Sequence, residues 1–157
     1  MGLLIQLYQK KLNLINSNTE LCFYSTNEKV LDIPFYQFNV PAGFPSPAEN
    51  FMDLDLNLQD YLVQNPSATF CVRVTGDSMQ NAGILSGDVM VVDRSLEPKN
   101  NTIVLAVLDG EFTVKRIQKK GEELFLKPEN KDFKPIKVTE EMNFQVWGVV
   151  THIIHKL

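Results

Sequence analysis

From residue 69 onward, short runs of β-branched and aromatic residues alternate with Gly, Pro, Asn and Asp, the pattern of strands joined by tight turns. Segments 69–74, 88–93, 102–108, 111–118, 122–127 and 144–154 all fit it. Ahead of them, Asn57 can cap a short helix that carries Leu58, Tyr61 and Leu62 on one face and is stopped by Pro66. Further upstream, Ile33, Phe35, Phe38 and Val40 approximate a period of two, which predicts an extended arm able to lie along a sheet or cleft. The arm gives way to Pro41-Ala42-Gly43-Phe44-Pro45-Ser46-Pro47, a run that can neither continue a helix nor sit in a central strand. An exposed connector, open to proteolysis, is expected there. Residues 1–16 are rich in Leu and Ile but keep neither helical nor strand period, so no element is assigned to them. The pattern as a whole predicts a mostly β body with one short helix and an extended N-terminal arm.

The dipeptide Asp109-Gly110 sharpens this picture, because a two-residue Asp-Gly loop favours a type I′ turn and so fixes strand register. Leu108 is then opposed to Glu111, Ala106 to Thr113 and Val104 to Lys115. Thr113 and Ile117 share a face with Lys115, while Phe112 and Val114 point the other way together with Ile103, Leu105 and Val107. Both faces of this hairpin are apolar enough to be buried.

Composition narrows the functional classes. The chain has 157 residues, 44% of them hydrophobic and 22% charged, enough for one sizeable core and a tail but not for two full domains. The net charge is −4. Residues 1–42 are balanced, Lys10, Lys11 and Lys29 standing against Glu20, Glu28 and Asp32, so the body from residue 43 carries the whole excess. Duplex DNA binding draws on phosphate neutralisation by Lys and Arg, so strong direct DNA binding is not expected. No apolar run approaches the roughly 18 residues that a membrane span needs, and the N-terminus lacks the layout of a secretory signal. A cytoplasmic protein is the expectation. Cys22 and Cys71 lie far apart with no Cys or His at metal-ligand spacing, which argues against a disulfide framework or a zinc site and predicts two plain apolar residues. Neither a metal nor another cofactor is expected.

Two side chains carry candidate chemistry. Ser78 follows the predicted strand 69–74 in the glycine-bordered loop Thr75-Gly76-Asp77-Ser78-Met79. A serine at such a place more often caps a turn than attacks a bond. Lys115 changes that reading. In a strand apolar on both faces, a lysine that cannot snorkel to water is desolvated, and its pKa falls from about 10.4 toward neutrality. A neutral amine is a general base, and Ser-Lys pairs are a known variant of the serine-histidine-aspartate arrangement.

The segments GFPSPAE (43–49), NPSATFCVRVTGDSM (65–79), GDVMVVD (87–93), DGEFTVKR (109–116) and WGVVTHIIHK (147–156) resemble the UmuD group of SOS mutagenesis proteins, within the LexA-like family of self-cleaving serine peptidases. The resemblance covers residues 43–156. It implies a LexA/UmuD-type β domain over residues 43–157 and an arm over residues 1–42 that self-cleavage removes. It implies Ser78 as nucleophile, Lys115 as general base, and a cut at Ala42-Gly43, which stands 35 residues ahead of Ser78. The backbone amides of Asp77 and Ser78 are candidates for an oxyanion hole. It further implies stimulation by RecA filaments on single-stranded DNA, and a cleaved homodimer that joins a UmuC-like error-prone polymerase subunit in translesion synthesis. Two alternatives stand beside this reading: a polymerase-binding regulator that works uncut, and a LexA-like transcriptional regulator. The second is weakened because 42 residues are too few and too poorly patterned for a helix-turn-helix domain.

Other polar residues carry less. His152 and His155, three apart in a strand pattern, are expected on opposite sides without carboxylate company, which disfavours a metal site. Asp77 reads as a turn former beside Ser78. Trp147 reads as core or dimer contact, and Asp53, Asp55, Glu140 and Glu141 as solvated surface.

Overall fold

The computed structural model describes residues 21–22, 32–35 and 54–157. Eight strands form one antiparallel sheet: β1 (Leu21–Cys22), β4 (Thr69–Arg73), β5 (Val89–Asp93), β6 (Ile103–Leu108), β7 (Glu111–Lys120), β8 (Glu123–Lys127), β9 (Ile136–Val138) and β10 (Phe144–Ile154). Their order across the sheet is β1-β4-β5-β10-β6-β7-β8-β9. Residues 25–64 belong to a separate compact unit. There β2 (Asp32–Phe35) pairs antiparallel with β3 (Leu54–Asn57), and α1 (Leu58–Leu62) follows.

The mostly β prediction holds, and all six predicted strands of the body are present with ends shifted by no more than two residues. The Asp109-Gly110 turn has positive φ at both residues, 51° and 88°, as type I′ geometry requires. Its register pairs Leu108 with Glu111, Ala106 with Thr113 and Val104 with Lys115, as the turn dictates. Asn57 caps α1 by accepting from the Gln59 and Asp60 N–H groups at 2.9 and 3.2 Å. The helix already ends at Leu62, before Pro66, because Val63 turns extended. Of the predicted arm, residues 32–35 are extended and 36–40 lie outside the described residues. Three strands escaped the pattern. β1 and β9 are two and three residues long, too short to show a period, and β3 has only two apolar positions, Leu54 and Leu56.

Burial divides along β6 with the period of two. Leu105 belongs to one core cluster with Val72, Val74, Met79, Ile84, Met90 and Val92. Val104 and Ala106 belong to a second, with Ile117, Leu126 and Val149. Both faces of the β6–β7 hairpin are therefore covered, which is what leaves Lys115 in apolar surroundings.

The long strand β10 lies between β5 and β6 and contains two register shifts. Against β6, Val146 opposes Ala106 and Gly148 opposes Leu105, so Trp147 is the extra residue of a bulge. Trp147 packs edge-on to Phe112 and Phe70, with ring centroids 4.7 and 6.3 Å away, and the Arg94 guanidinium covers it at 4.6 Å. Of the two roles the sequence left open, this is packing against the core. Gly148 has its own reason. A Cβ there would sit 2.7 Å from Val92 Cγ1 and 2.9 Å from the Asp93 carbonyl oxygen, and the latter is backbone that cannot swing aside. Gly148→Ala is expected to lower stability by about 1–3 kcal/mol through forced backbone shifts. Urea unfolding measures it, and an unchanged midpoint would show that β5 and β10 separate freely.

Candidate active site

β4 ends at Arg73, and the chain then turns through Val74-Thr75-Gly76-Asp77 to Ser78. Gly76 makes the turn at φ 86°, a conformation an L side chain rarely takes. The next residue, Met79, is buried in the first core cluster, and a 3-10 turn over Gln80–Ala82 follows. Met79 thus pins the loop immediately beyond Ser78.

Lys115 reaches the same point from β7. It is 8% exposed, and its Nζ lies 2.9 Å from Ser78 Oγ, 2.9 Å from Thr113 Oγ1 and 2.9 Å from the Val114 carbonyl oxygen. Three acceptors could satisfy an ammonium. They also match a neutral amine, which has two N–H donors for Val114 and Thr113 and one lone pair for the Ser78 hydroxyl proton. Burial separates the two cases. No carboxylate among the described residues forms an ion pair with Lys115, and desolvation alone holds its pKa below the ordinary 10.5 of a lysine.

The peptide planes on both sides of Ser78 are held from a direction the sequence did not reveal. The Asp77 carbonyl accepts from the Asn130 side-chain amide at 3.0 Å and from the Gln80 N–H at 3.2 Å. The Ser78 carbonyl accepts from the Glu129 N–H at 2.9 Å. A trans peptide is planar, so fixing the Asp77 oxygen aims the Ser78 N–H the opposite way, and fixing the Ser78 oxygen does the same for the Met79 N–H. Among the described residues no acceptor pairs with the Asp77 or Ser78 N–H. Glu129 is itself fixed by Arg116, whose Nε donates at 2.6 Å. Buried Asn130 gave no sign of this in the sequence, because its partner lies 53 residues away.

A cleft of roughly 110 Å³ opens beside Ser78, walled by residues 72–76 on one side and 112–114 on the other, with Leu105 and Met90 also lining it. Its loop wall is braced by Asp88, which is 2% exposed. The Asp88 carbonyl accepts from Val74 N–H at 2.8 Å, and the Val74 carbonyl accepts from Gly87 N–H at 2.9 Å. Burial pushes the Asp88 carboxyl up, but the Leu85 N–H and His155 together outweigh it and hold the carboxyl below the usual range. His155 Nδ1 sits 2.6 Å from Asp88 Oδ1. This corrects the expectation that the two histidines lack carboxylate company: His155 lies just past the end of β10, where the chain can turn back to Asp88. His152 contacts Thr151 instead. Among the described residues no three His, Cys, Asp or Glu are grouped as metal ligands. Glu140 and Glu141 are exposed, as expected; Asp53, Ala42 and Gly43 lie outside the described residues.

Residues 34–151 match the Peptidase S24-like family, a span that includes Ser78, Lys115, Glu129 and Asn130. The chain belongs to the Peptidase S24-like family. It is a UmuD-like member of the LexA-related group. Protein MucA of Salmonella typhimurium is 47% identical over 126 residues, covering 79% of this chain and 85% of that protein. Protein ImpA of Shigella flexneri is 41% identical over 129 residues, covering 78% and 83%. The LexA repressor of Shewanella pealeana is 41% identical over 114 residues, which span 73% of this chain and 54% of the repressor. For a peptidase family, a serine hydroxyl facing a buried amine is a chemically competent pair.

The depressed Lys115 pKa has a consequence for stability. Below that folded-state pKa the native protein bears the full cost of a buried ammonium. Between it and 10.5 the unfolded chain binds the proton that the native chain has released, so stability rises with pH; above 10.5 the cost is gone. Lys115→Met is therefore expected to stabilise the protein most near neutral pH, with the gain shrinking as pH approaches 10.5. Urea unfolding of both proteins across that range measures it. Parallel pH profiles would mean that Lys115 titrates like an exposed lysine.

Proposed function

We propose that this chain is a self-cleaving SOS mutagenesis protein that cuts its own Ala42-Gly43 bond. The observation that carries the reading is the buried Lys115 Nζ at 2.9 Å from Ser78 Oγ. Neutral Lys115 takes the proton from Ser78, and Oγ attacks the Ala42 carbonyl carbon to form a tetrahedral oxyanion. The N–H of Ser78, aimed through Asn130, is the leading donor to that oxyanion, with the Asp77 N–H beside it. The intermediate collapses as Lys115 returns the proton to the Gly43 nitrogen, which leaves as a new N-terminus. Water, deprotonated by Lys115, then releases the acyl group from Ser78 as the Ala42 carboxylate. The small side chains at 42 and 43 suit a narrow cleft, because they let a main chain approach the serine closely.

The arm over residues 1–42 and the body over residues 43–157 are then the two products. The UmuD-like kinship supports the remainder of the reading: a cytoplasmic protein, cut faster in the presence of RecA assembled on single-stranded DNA, whose body pairs as a homodimer and joins a UmuC-like error-prone polymerase subunit in translesion synthesis.

Incubation of the purified chain at rising pH is expected to yield a fragment beginning at Gly43. The rate should climb as Lys115 loses its proton and level off below pH 10.5. Ser78→Ala and Lys115→Ala should each slow the cut at least about a hundredfold, the usual worth of a nucleophile's general base. N-terminal sequencing and mass spectrometry read the outcome, and an undiminished cut in both variants overturns the mechanism. The absence of any shortened species after mixing with RecA, ATP and single-stranded DNA would favour a regulator that works uncut. Asn130→Ala is expected to slow the cut roughly tenfold while leaving its pH profile in place, since it misaims the oxyanion donor without touching the base. A shifted profile would instead place Asn130 in the titration of Lys115.

A further inference from the structure

The antiparallel pairing of β1 with β4 sets Leu21 opposite Val72 and Cys22 opposite Cys71. These are the chain's two cysteines. They are 49 positions apart in sequence and share one register position at the outer edge of the sheet. Directly opposed residues of an antiparallel pair lie on one face, with Cα atoms about 4.5–5.5 Å apart. A disulfide spans Cα separations of about 4.4–6.8 Å. Only a pair in register meets that condition without moving a strand; a slip by one residue would put the two on opposite faces. Cys71 is a half-buried thiol, and its strand leads directly into the wall of the cleft beside Ser78.

We infer that Cys22 and Cys71 form a reversible redox pair that ties the N-terminal segment to the edge of β4. The reaction is a dithiol-disulfide exchange with an oxidised low-molecular-weight disulfide of the glutathione class. One cysteine thiolate attacks a glutathione sulfur and expels the first glutathione thiolate, leaving a mixed disulfide. The second cysteine thiolate attacks the protein-bound sulfur, closes the Cys22–Cys71 bond and expels the second glutathione thiolate. Two electrons pass from the protein to the oxidant, and the two cysteine protons end on the departing thiolates. Reduced glutathione or a dithiol reverses the sequence. Resting on the proposed cut, the pair gains a second role: Cys22 lies in the 1–42 fragment and Cys71 in the body, so the oxidised bond would keep the severed arm attached.

The test equilibrates the purified full-length chain with an excess of oxidised glutathione, blocks remaining thiols with iodoacetamide, and analyses the protein without reductant. The expected product is a monomer lighter by two hydrogens, carrying no alkylation, whose digest contains the peptide of Cys22 bonded to that of Cys71. Cys22→Ser and Cys71→Ser should each abolish the intramolecular bond, and dithiothreitol should restore two alkylatable cysteines in the unsubstituted chain. Two alkylated cysteines after oxidation, stable mixed disulfides with glutathione at both, or a bond between two chains would each overturn the inference. The cut is read separately. If the chain cleaves, oxidised protein should stay one species in a non-reducing gel and separate into two on reduction. If it never cleaves, the bond in the intact chain still decides the redox pair.

Discussion

A single buried amine organises the chemistry of this protein. Taking Lys115 out of water without giving it a carboxylate makes the ammonium expensive, and the fold supplies that environment by covering both faces of the β6–β7 hairpin. The charge that a surface lysine would keep is then held only weakly, and the lone pair it frees faces a serine hydroxyl. An acidic partner for Lys115 would have stabilised the ammonium and removed the base. Its nearest polar neighbours are neutral: a threonine hydroxyl, a serine hydroxyl and a backbone carbonyl.

Much of the remaining structure serves to keep that pair in place. The positive φ of Gly76, the burial of Met79 and the bonds from Glu129 and Asn130 constrain the serine loop from three sides. Asp88 braces the same loop from below and is joined to the C-terminal end of the chain through His155. The lysine needs less support, because a central strand already fixes its backbone and the neighbouring Thr113 takes one of its hydrogens. The division is physically sensible: a loop is free to wander unless several bonds converge on it, whereas a strand between two others is not.

The edge of the sheet adds a different kind of constraint. An N-terminal segment contributes the outermost strand, β1, and a terminal strand of two residues contributes few backbone bonds of its own. The placement of the two cysteines there would turn a weak, separable contact into a conditional one, set by the redox state of the surroundings and not by packing alone.

How much of this the sequence determined follows from the range over which each constraint acts. The Asp-Gly turn, the six strands of the body, the cap at Asn57 and the unusual setting of Lys115 were legible, because turn chemistry, alternation and capping act between residues a few positions apart. Ser78 stood out as a serine in a glycine-bordered loop, and the motifs around it linked it to Lys115. What tertiary structure alone decided were the long-range pairings: Asn130 on the Asp77 carbonyl, His155 on Asp88, the bulge at Trp147, and the register that sets Cys22 against Cys71. None of these leaves a periodic trace, because each joins residues that share no local pattern and meet only after the sheet has closed the distance between them.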